Sequence, residues 1–130
     1  MAAKNTLESY ADLFTKKAFA HVATLMPNGS PQVTPVWFDY DGQYIRINSA
    51  RGRQKDRNLR RDARVALSIQ DPDNPYSFVQ LRGKVVEITE EGADAHIDLL
   101  AKKYTGADVY PNHRADETRV IYKIAVENLE

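Results

Sequence analysis

Residues 19–48 read FAHVATLMPNGSPQVTPVWFDYDGQYIRIN, and this run decides the fold. Phe19–Leu25 has strand composition, Pro27-Asn28-Gly29-Ser30-Pro31 is a turn, and Gln32–Tyr40 resumes the strand pattern. Asp41-Gly42 then turns the chain again into Gln43–Asn48, so the run predicts a three-stranded antiparallel meander. Working outward, residues 6–18 place Leu7, Tyr10, Ala11, Phe14 and Ala18 at helical spacing, with Asn5 and Glu8 positioned for a capping box. On the other side, Arg64–Gln70 alternates Val65, Leu67 and Ile69 with small residues until Asp71-Pro72-Asp73-Asn74-Pro75 breaks it. Tyr76–Ile88 is a long strand whose apolar phase passes from Val79, Leu81 and Val85 to Val86 and Ile88, which requires a bulge or bend around Gly83–Val86. Thr89-Glu90-Glu91 opens a helix with Ala93, Ile97, Leu100, Ala101 and Tyr104 on its buried face and Gly106 as its stop. Residues 107–117 have no period, and Thr118–Val126 returns to strand with Val120, Tyr122, Ile124 and Val126 on one side. Six strands and about three helices predict a single mainly β domain over residues 1–130, a small antiparallel barrel with appended helices.

Composition narrows the chemistry. The 130 residues include no cysteine and three histidines, so disulfides, thiolate metal sites and a cysteine nucleophile are excluded and no metal site is expected. No signal-peptide pattern opens the chain, and no stretch reaches the ~18 apolar residues of a membrane span, so a cytoplasmic protein is expected. Eighteen basic and eighteen acidic side chains give zero formal net charge. That zero conceals segregation. Arg51, Arg53, Lys55, Arg57, Arg60, Arg61 and Arg64 face only Asp56 and Asp62 between residues 51 and 64, a local excess of +5 against −5 elsewhere.

The basic stretch is expected to be helical from about Gln54, with Leu59 its only large apolar residue. It fits a solvated basic face or a phosphate site. For the second, Gly52 leads into a helix N-terminus whose free N–H groups lie beside Arg53 and Lys55. The spacing is not that of a Walker loop. No aromatics interleave with the basic residues and no nucleic-acid-binding signature is present, so nucleic acid is not an expected partner. The segment Thr34-Pro35-Val36-Trp37-Phe38 carries a proline inside an apparent strand, which marks an edge or a bulge. Val36 and Trp37 then serve either as core or as cover for a flat heterocycle.

Taken in order, Val22-Ala23-Thr24-Leu25, Asn28-Gly29-Ser30-Pro31, Thr34-Pro35-Val36-Trp37-Phe38 and Gly52-Arg53-x-Lys55-x-x-Asn58-Leu59-Arg60-Arg61-Asp62 form a series. The series resembles the pyridoxamine 5'-phosphate oxidase-like split-barrel flavoproteins over nearly the whole chain. It looks most like the coenzyme F420-dependent branch, the flavin/deazaflavin oxidoreductase B group. The resemblance implies an FMN-binding split barrel that forms a homodimer with cofactor sites at the subunit interface. It places Lys55 and Arg53 on the cofactor phosphate with Asn58 assisting, and lines the tricyclic ring with Asn48, Ser49, Pro35, Val36 and Trp37. Tyr76 and Phe78 would come from the second subunit.

The implied cofactor is coenzyme F420, an 8-hydroxy-5-deazaflavin, with FMN as the alternative. The implied activity is an F420H2-dependent reductase that transfers a hydride to an unsaturated or conjugated small molecule of enone, quinone or tetrapyrrole type. The rival readings are an FMN-dependent oxidoreductase and a non-catalytic flavin or deazaflavin carrier. No catalytic residue is assigned, and Tyr76, His113 or bulk water would supply the proton. Oxidases that make pyridoxal phosphate carry an Arg-x-His clamp on an additional C-terminal strand. Here His113-Arg114 lies upstream in a loop, so pyridoxamine-phosphate oxidation is not expected.

Overall fold

The computed structural model describes residues 7–129. A 3-10 turn at Leu7–Tyr10 runs into the short helix α1 (Ala11–Thr15), which buries Leu13 and Phe14. The expected helix over 6–18 is therefore shorter, because the chain at Lys16 is already extended. The Asn5 cap lies outside the described residues.

Among the described residues seven strands follow in one sheet: β1 (Ala20–Leu25), β2 (Pro31–Val36), β3 (Phe38–Tyr40), β4 (Ile45–Ala50), β5 (Arg64–Asp71), β6 (Asn74–Thr89) and β7 (Arg119–Leu129). Helices α2 (Gln54–Arg61) and α3 (Ala93–Thr105) are inserted after β4 and β6. The order is β2-β1-β5-β6-β7-β4-β3, with every pair antiparallel. The two turns of the opening run form as read. Asn28 Oδ1 accepts the Ser30 N–H and Asp41 Oδ1 accepts those of Gln43 and Tyr44, with Gly29 and Gly42 at positive φ.

The expected strand over Gln32–Tyr40 is two strands. Trp37 interrupts it, so that β2 pairs with β1 while β3 pairs with β4, at opposite ends of the sheet order. One residue thus joins the two edges of the sheet, and the barrel is split there. Pro35 sits on β2, an edge strand, where a missing N–H is tolerated. Phe38, Ile45, Ile47, Leu67, Ile69, Val79, Leu81, Tyr122 and Ile124 fill the interior.

Helix α3 packs on β7 and β4 with Ala93, His96, Ile97, Leu100 and Ala101 buried. Its cap is Gly92 in the left-handed region rather than Thr89, whose hydroxyl instead accepts the Glu91 N–H in the turn ahead of the helix. The last turn of α3 clamps the Trp37 crossing. Lys103 Nζ donates to the carbonyls of Phe14 and Phe38 at 2.8 Å each, and the Tyr104 hydroxyl donates to Ala18 O at 2.5 Å.

Strand β6 bridges the two halves, pairing with β5 through residue 84 and with β7 from residue 81. Its register against β7 breaks at Arg82/Gly83 and again at Val85/Glu87. The bulge expected from the phase shift is present, but Val86 does not turn inward. It is the extra residue and is 54% exposed, while Ile88 packs against the core. Gly83 lies where β5, β6 and β7 come together, and a Cβ there would meet the Ala125 carbonyl oxygen at 2.1 Å. Backbone cannot yield as a flexible side chain does. Gly83→Ala is therefore expected to lower stability by about 2–4 kcal/mol, read as a fall in the urea midpoint, whereas Gly29→Ala in the open turn should cost less.

Candidate functional site

The β4–α2 connection sets the site. After Ala50 the chain turns through Gly52 at φ +92°, and Arg53 occupies the N-cap with no side-chain cap bond. Asp56, in the first turn of α2, is 2% exposed and reaches back: its Oδ2 accepts the Gly52 N–H at 2.9 Å. Its Oδ1 accepts Arg60 Nε at 2.9 Å and the Tyr122 hydroxyl at 2.6 Å. Burial pushes the carboxyl up, but these three donors outweigh it and hold it below the usual range. Burial and the Asp56 charge in turn raise the Tyr122 phenol.

This anchoring turns the start of α2 toward a cavity of about 320 Å³ between β2, β4, α3 and the loop before β7. Pro35, Val36, Trp37, Asn48, Ser49, Arg53 and Lys55 all line it. Of the remaining lining residues, Ile97 and Leu100 read in the sequence only as a helix's buried face, and Phe19, Tyr110, Asn112 and Arg119 carry no site signal there. Tyr110 and Asn112 lie in the aperiodic loop, where periodicity carries no information. Phe19, Trp37 and Tyr104 form an aromatic wall in which Trp37 stacks on Tyr104 at 5.2 Å with 4° between ring planes. Trp37 is half-buried, so it is neither core nor a free platform.

At the cationic end, the residues of the basic stretch differ in what they touch. Arg51 pairs with Glu90, Arg53 with Glu117, Arg60 with Asp56 and Arg64 with Asp62. Arg57 and Arg61 donate to the Gly52 and Leu25 carbonyls. Lys55 alone has neither an ion pair nor a hydrogen bond among the described residues, although it is half-buried. Burial, then the nearby charges of Arg53 and Arg119, hold its ammonium below the usual lysine range. Arg119 is 6% exposed and shares Glu117 with Arg53, at 3.0 and 2.7 Å. With Lys55 unpaired and Glu117 shared between two arginines, the three cations keep a surplus of two positive charges.

One further polar atom lacks a partner. Ser49 Oγ is buried and makes no hydrogen bond among the described residues, a costly arrangement unless something in the cavity completes it. An unpaired ammonium and an orphaned hydroxyl in one cavity, beside an aromatic wall, fit a ligand with a ring system and an anionic group.

Three of the expected site residues lie elsewhere. Asn58 is fully buried on the inner side of α2, where its amide donates to Thr24 Oγ1 at 3.0 Å and accepts from Gln54 and Arg61. It ties α2 to β1 rather than facing the cavity, because residue 58 falls with Leu59 on the helix face that packs inward. Tyr76 and Phe78, 90% and 52% exposed, stand on the first half of β6 and do not line the cavity of their own chain. His113 pairs with Asp98 at 2.8 Å and Arg114 with Asp116, so neither member of that pair lines the cavity.

A split barrel whose strand-to-helix turn presents cations to a ring-sized cavity defines a class of phosphate-bearing cofactor folds. The chain belongs to the pyridoxamine 5'-phosphate oxidase family, whose profile matches residues 6–130. Among solved structures it is similar to an F420 reductase, with 32% identity over 96% of this chain and 98% of that one and a TM-score of 0.85. A conserved hypothetical protein from Mycobacterium tuberculosis matches at 25% identity, covering 95% of this chain and 82% of that one, TM-score 0.73. HupZ of Group A Streptococcus, at 21% identity over 95% and 91% with TM-score 0.65, shares the fold. No helix among the described residues is long and apolar enough to cross a membrane.

The depressed Lys55 ammonium gives the site a pH signature. An anion needs it charged, so affinity for inorganic phosphate is expected to fall as pH rises through a range below that of an ordinary lysine. Calorimetric titration at stepped pH should show this fall, and Lys55→Arg should move it to higher pH.

Proposed function

We propose that this chain is an F420H2-dependent reductase that passes a hydride to an unsaturated or conjugated small molecule of enone, quinone or tetrapyrrole type. The observation that carries the reading is Lys55, an unpaired ammonium flanked by Arg53 and Arg119 at the mouth of a helix N-terminus. The similarity to an F420 reductase along almost the full length of both chains favours the deazaflavin. When bound, the reduced deazaflavin supplies the hydride. The protein's own tasks are binding, orientation and exclusion of water. Lys55 and Arg53 hold the phosphate, while Ser49 Oγ offers a hydrogen bond to the ring system. Val36, Trp37 and Phe19 cover the apolar part of the ring, and the loop carrying Tyr110 and Asn112 borders the acceptor.

FMN is the second reading. The surplus of two positive charges left on Lys55, Arg53 and Arg119 matches the charge of a phosphomonoester dianion, which FMN carries.

The active form on this proposal is a homodimer. The outer face of β1, β2, β5 and β6 presents small residues, Ala23, Ala66 and Ser68, beside Val33 and Phe78, which are 59% and 52% exposed. Covering this face with a second copy buries those side chains and lets Tyr76 and Phe78 approach the partner's cavity.

Titration of the full chain with F420 and with FMN, read by fluorescence quenching, tests the proposal. F420 is expected to bind more tightly, and Lys55→Ala to weaken binding by at least about tenfold, as loss of a charged hydrogen bond would. F420H2 should then be oxidised on adding a quinone or enone. Binding of neither cofactor, or binding unaffected by Lys55→Ala, overturns the assignment.

A further inference from the structure

We propose that His96, on α3 and outside the cavity lining, is a positioning residue that fixes the Arg119 guanidinium in the cavity by way of Asn48. This rests on the reading of the cavity as an anionic cofactor site.

Arg119 is the cation most deeply set in that site, and its geometry is borrowed. Its Nε donates to Asn48 Oδ1 at 2.9 Å and its Nη1 to Glu117 at 3.0 Å, which leaves Nη2 without a protein partner among the described residues. Asn48 thus acts on the ligand through Arg119, since its own amide is fully engaged. Its Nδ2 donates to the Ala93 carbonyl at 3.0 Å and lies 3.0 Å from His96 Nδ1. Turning this amide over would set an NH2 group against the Arg119 N–H and an oxygen against the Ala93 oxygen. Both contacts would be repulsive, so a single orientation survives.

That orientation needs His96 Nδ1 to accept, and it accepts only when the ring proton sits on Nε2. His96 Nε2 faces Asp39 Oδ1 at 3.3 Å, and Arg46 holds Asp39 through two bonds of 2.9 and 2.7 Å. Burial pushes the Asp39 carboxyl up, yet the His96 and Arg46 bonds outweigh it and bring it down to about 2. Asp39 is therefore a carboxylate throughout the working range and keeps the His96 proton on Nε2. The series Arg46, Asp39, His96, Asn48, Arg119 runs from β3 and β4 beneath α3 to β7, each donor meeting an acceptor. Burial of His96 at 2% and Asn48 at 8% exposure keeps water from substituting for the links between His96, Asn48 and Arg119.

The test compares His96→Leu with His96→Asn in the full chain. An asparagine at 96 places its Oδ1 where the ring Nδ1 stands, so it keeps the acceptor for Asn48, and leucine does not. His96→Leu is expected to weaken binding of F420 or FMN about tenfold, and His96→Asn to recover most of the loss. In an Arg119→Met background, His96→Leu should cause no further loss, because its effect passes through Arg119. The Arg119 Nε–H proton resonance supplies a readout without cofactor: slow exchange with water in the wild type and in His96→Asn, fast exchange in His96→Leu. Unchanged affinity in His96→Leu, an equal loss in the Arg119→Met background, or failure of asparagine to recover binding each overturns the inference. A wild-type chain that binds neither cofactor overturns the site reading instead, and the exchange rate then decides the hydrogen-bond series by itself.

Discussion

A carboxylate taken out of water must be repaid by donors, and the repayment at Asp56 organises the site. Its three donors come from the turn before α2, from α2 itself and from β7: Gly52 N–H, Arg60 and Tyr122. A charge buried with fewer partners would be strongly destabilising. The three elements are thereby tied together at one buried charge. Gly52 is held at the positive φ that lets the chain turn out of β4, and the start of α2 then meets the cavity at Arg53 and Lys55.

The same logic explains a chain with zero net charge that carries a cation-rich segment. Asp56, Asp62, Glu90 and Glu117 each pair with one of its arginines, so four of its seven cations are held in ion pairs, and Arg57 and Arg61 are held on backbone carbonyls. That leaves Lys55, the cation of the stretch with neither an ion pair nor a hydrogen bond among the described residues. A solvated basic face would leave its unpartnered cations in water, whereas Lys55 is half-buried. Concentrating charge in a partly dry pocket suits one compact anionic group better than an extended polyanion.

Much of this was legible in the order of residues because turns and capping are local. Asn28-Gly29 and Asp41-Gly42 announce their hairpins, Gly106 ends α3, and the phase change near Gly83 announces a bulge. The break at Trp37 was not legible, since Gln32–Tyr40 has continuous strand composition and only the choice of pairing partners divides it. Helix entry at Gly92 displaced the Thr89 cap for a related reason: β6 runs on to Thr89, leaving it in the turn. In the site, Lys55, Arg53 and the Pro35-Val36-Trp37 segment could be named because they sit in compact motifs. Arg119, Tyr110 and His96 could not, as each acquires its place through contacts with residues far away in sequence. Asn58 shows the reverse error, a polar residue in a phosphate-like motif whose helix phase turns it into the barrel wall.

The central claim is that the Lys55, Arg53 and Arg119 cluster receives the phosphate of a flavin or deazaflavin. A crystal structure of the protein with F420 or FMN bound tests it most directly. The account predicts the phosphate within hydrogen-bond distance of Lys55 Nζ, the ring system against Val36 and Trp37, and Ser49 Oγ paired. Cofactor density placed away from α2, or a phosphate in solvent with Lys55 still unpartnered, would contradict it.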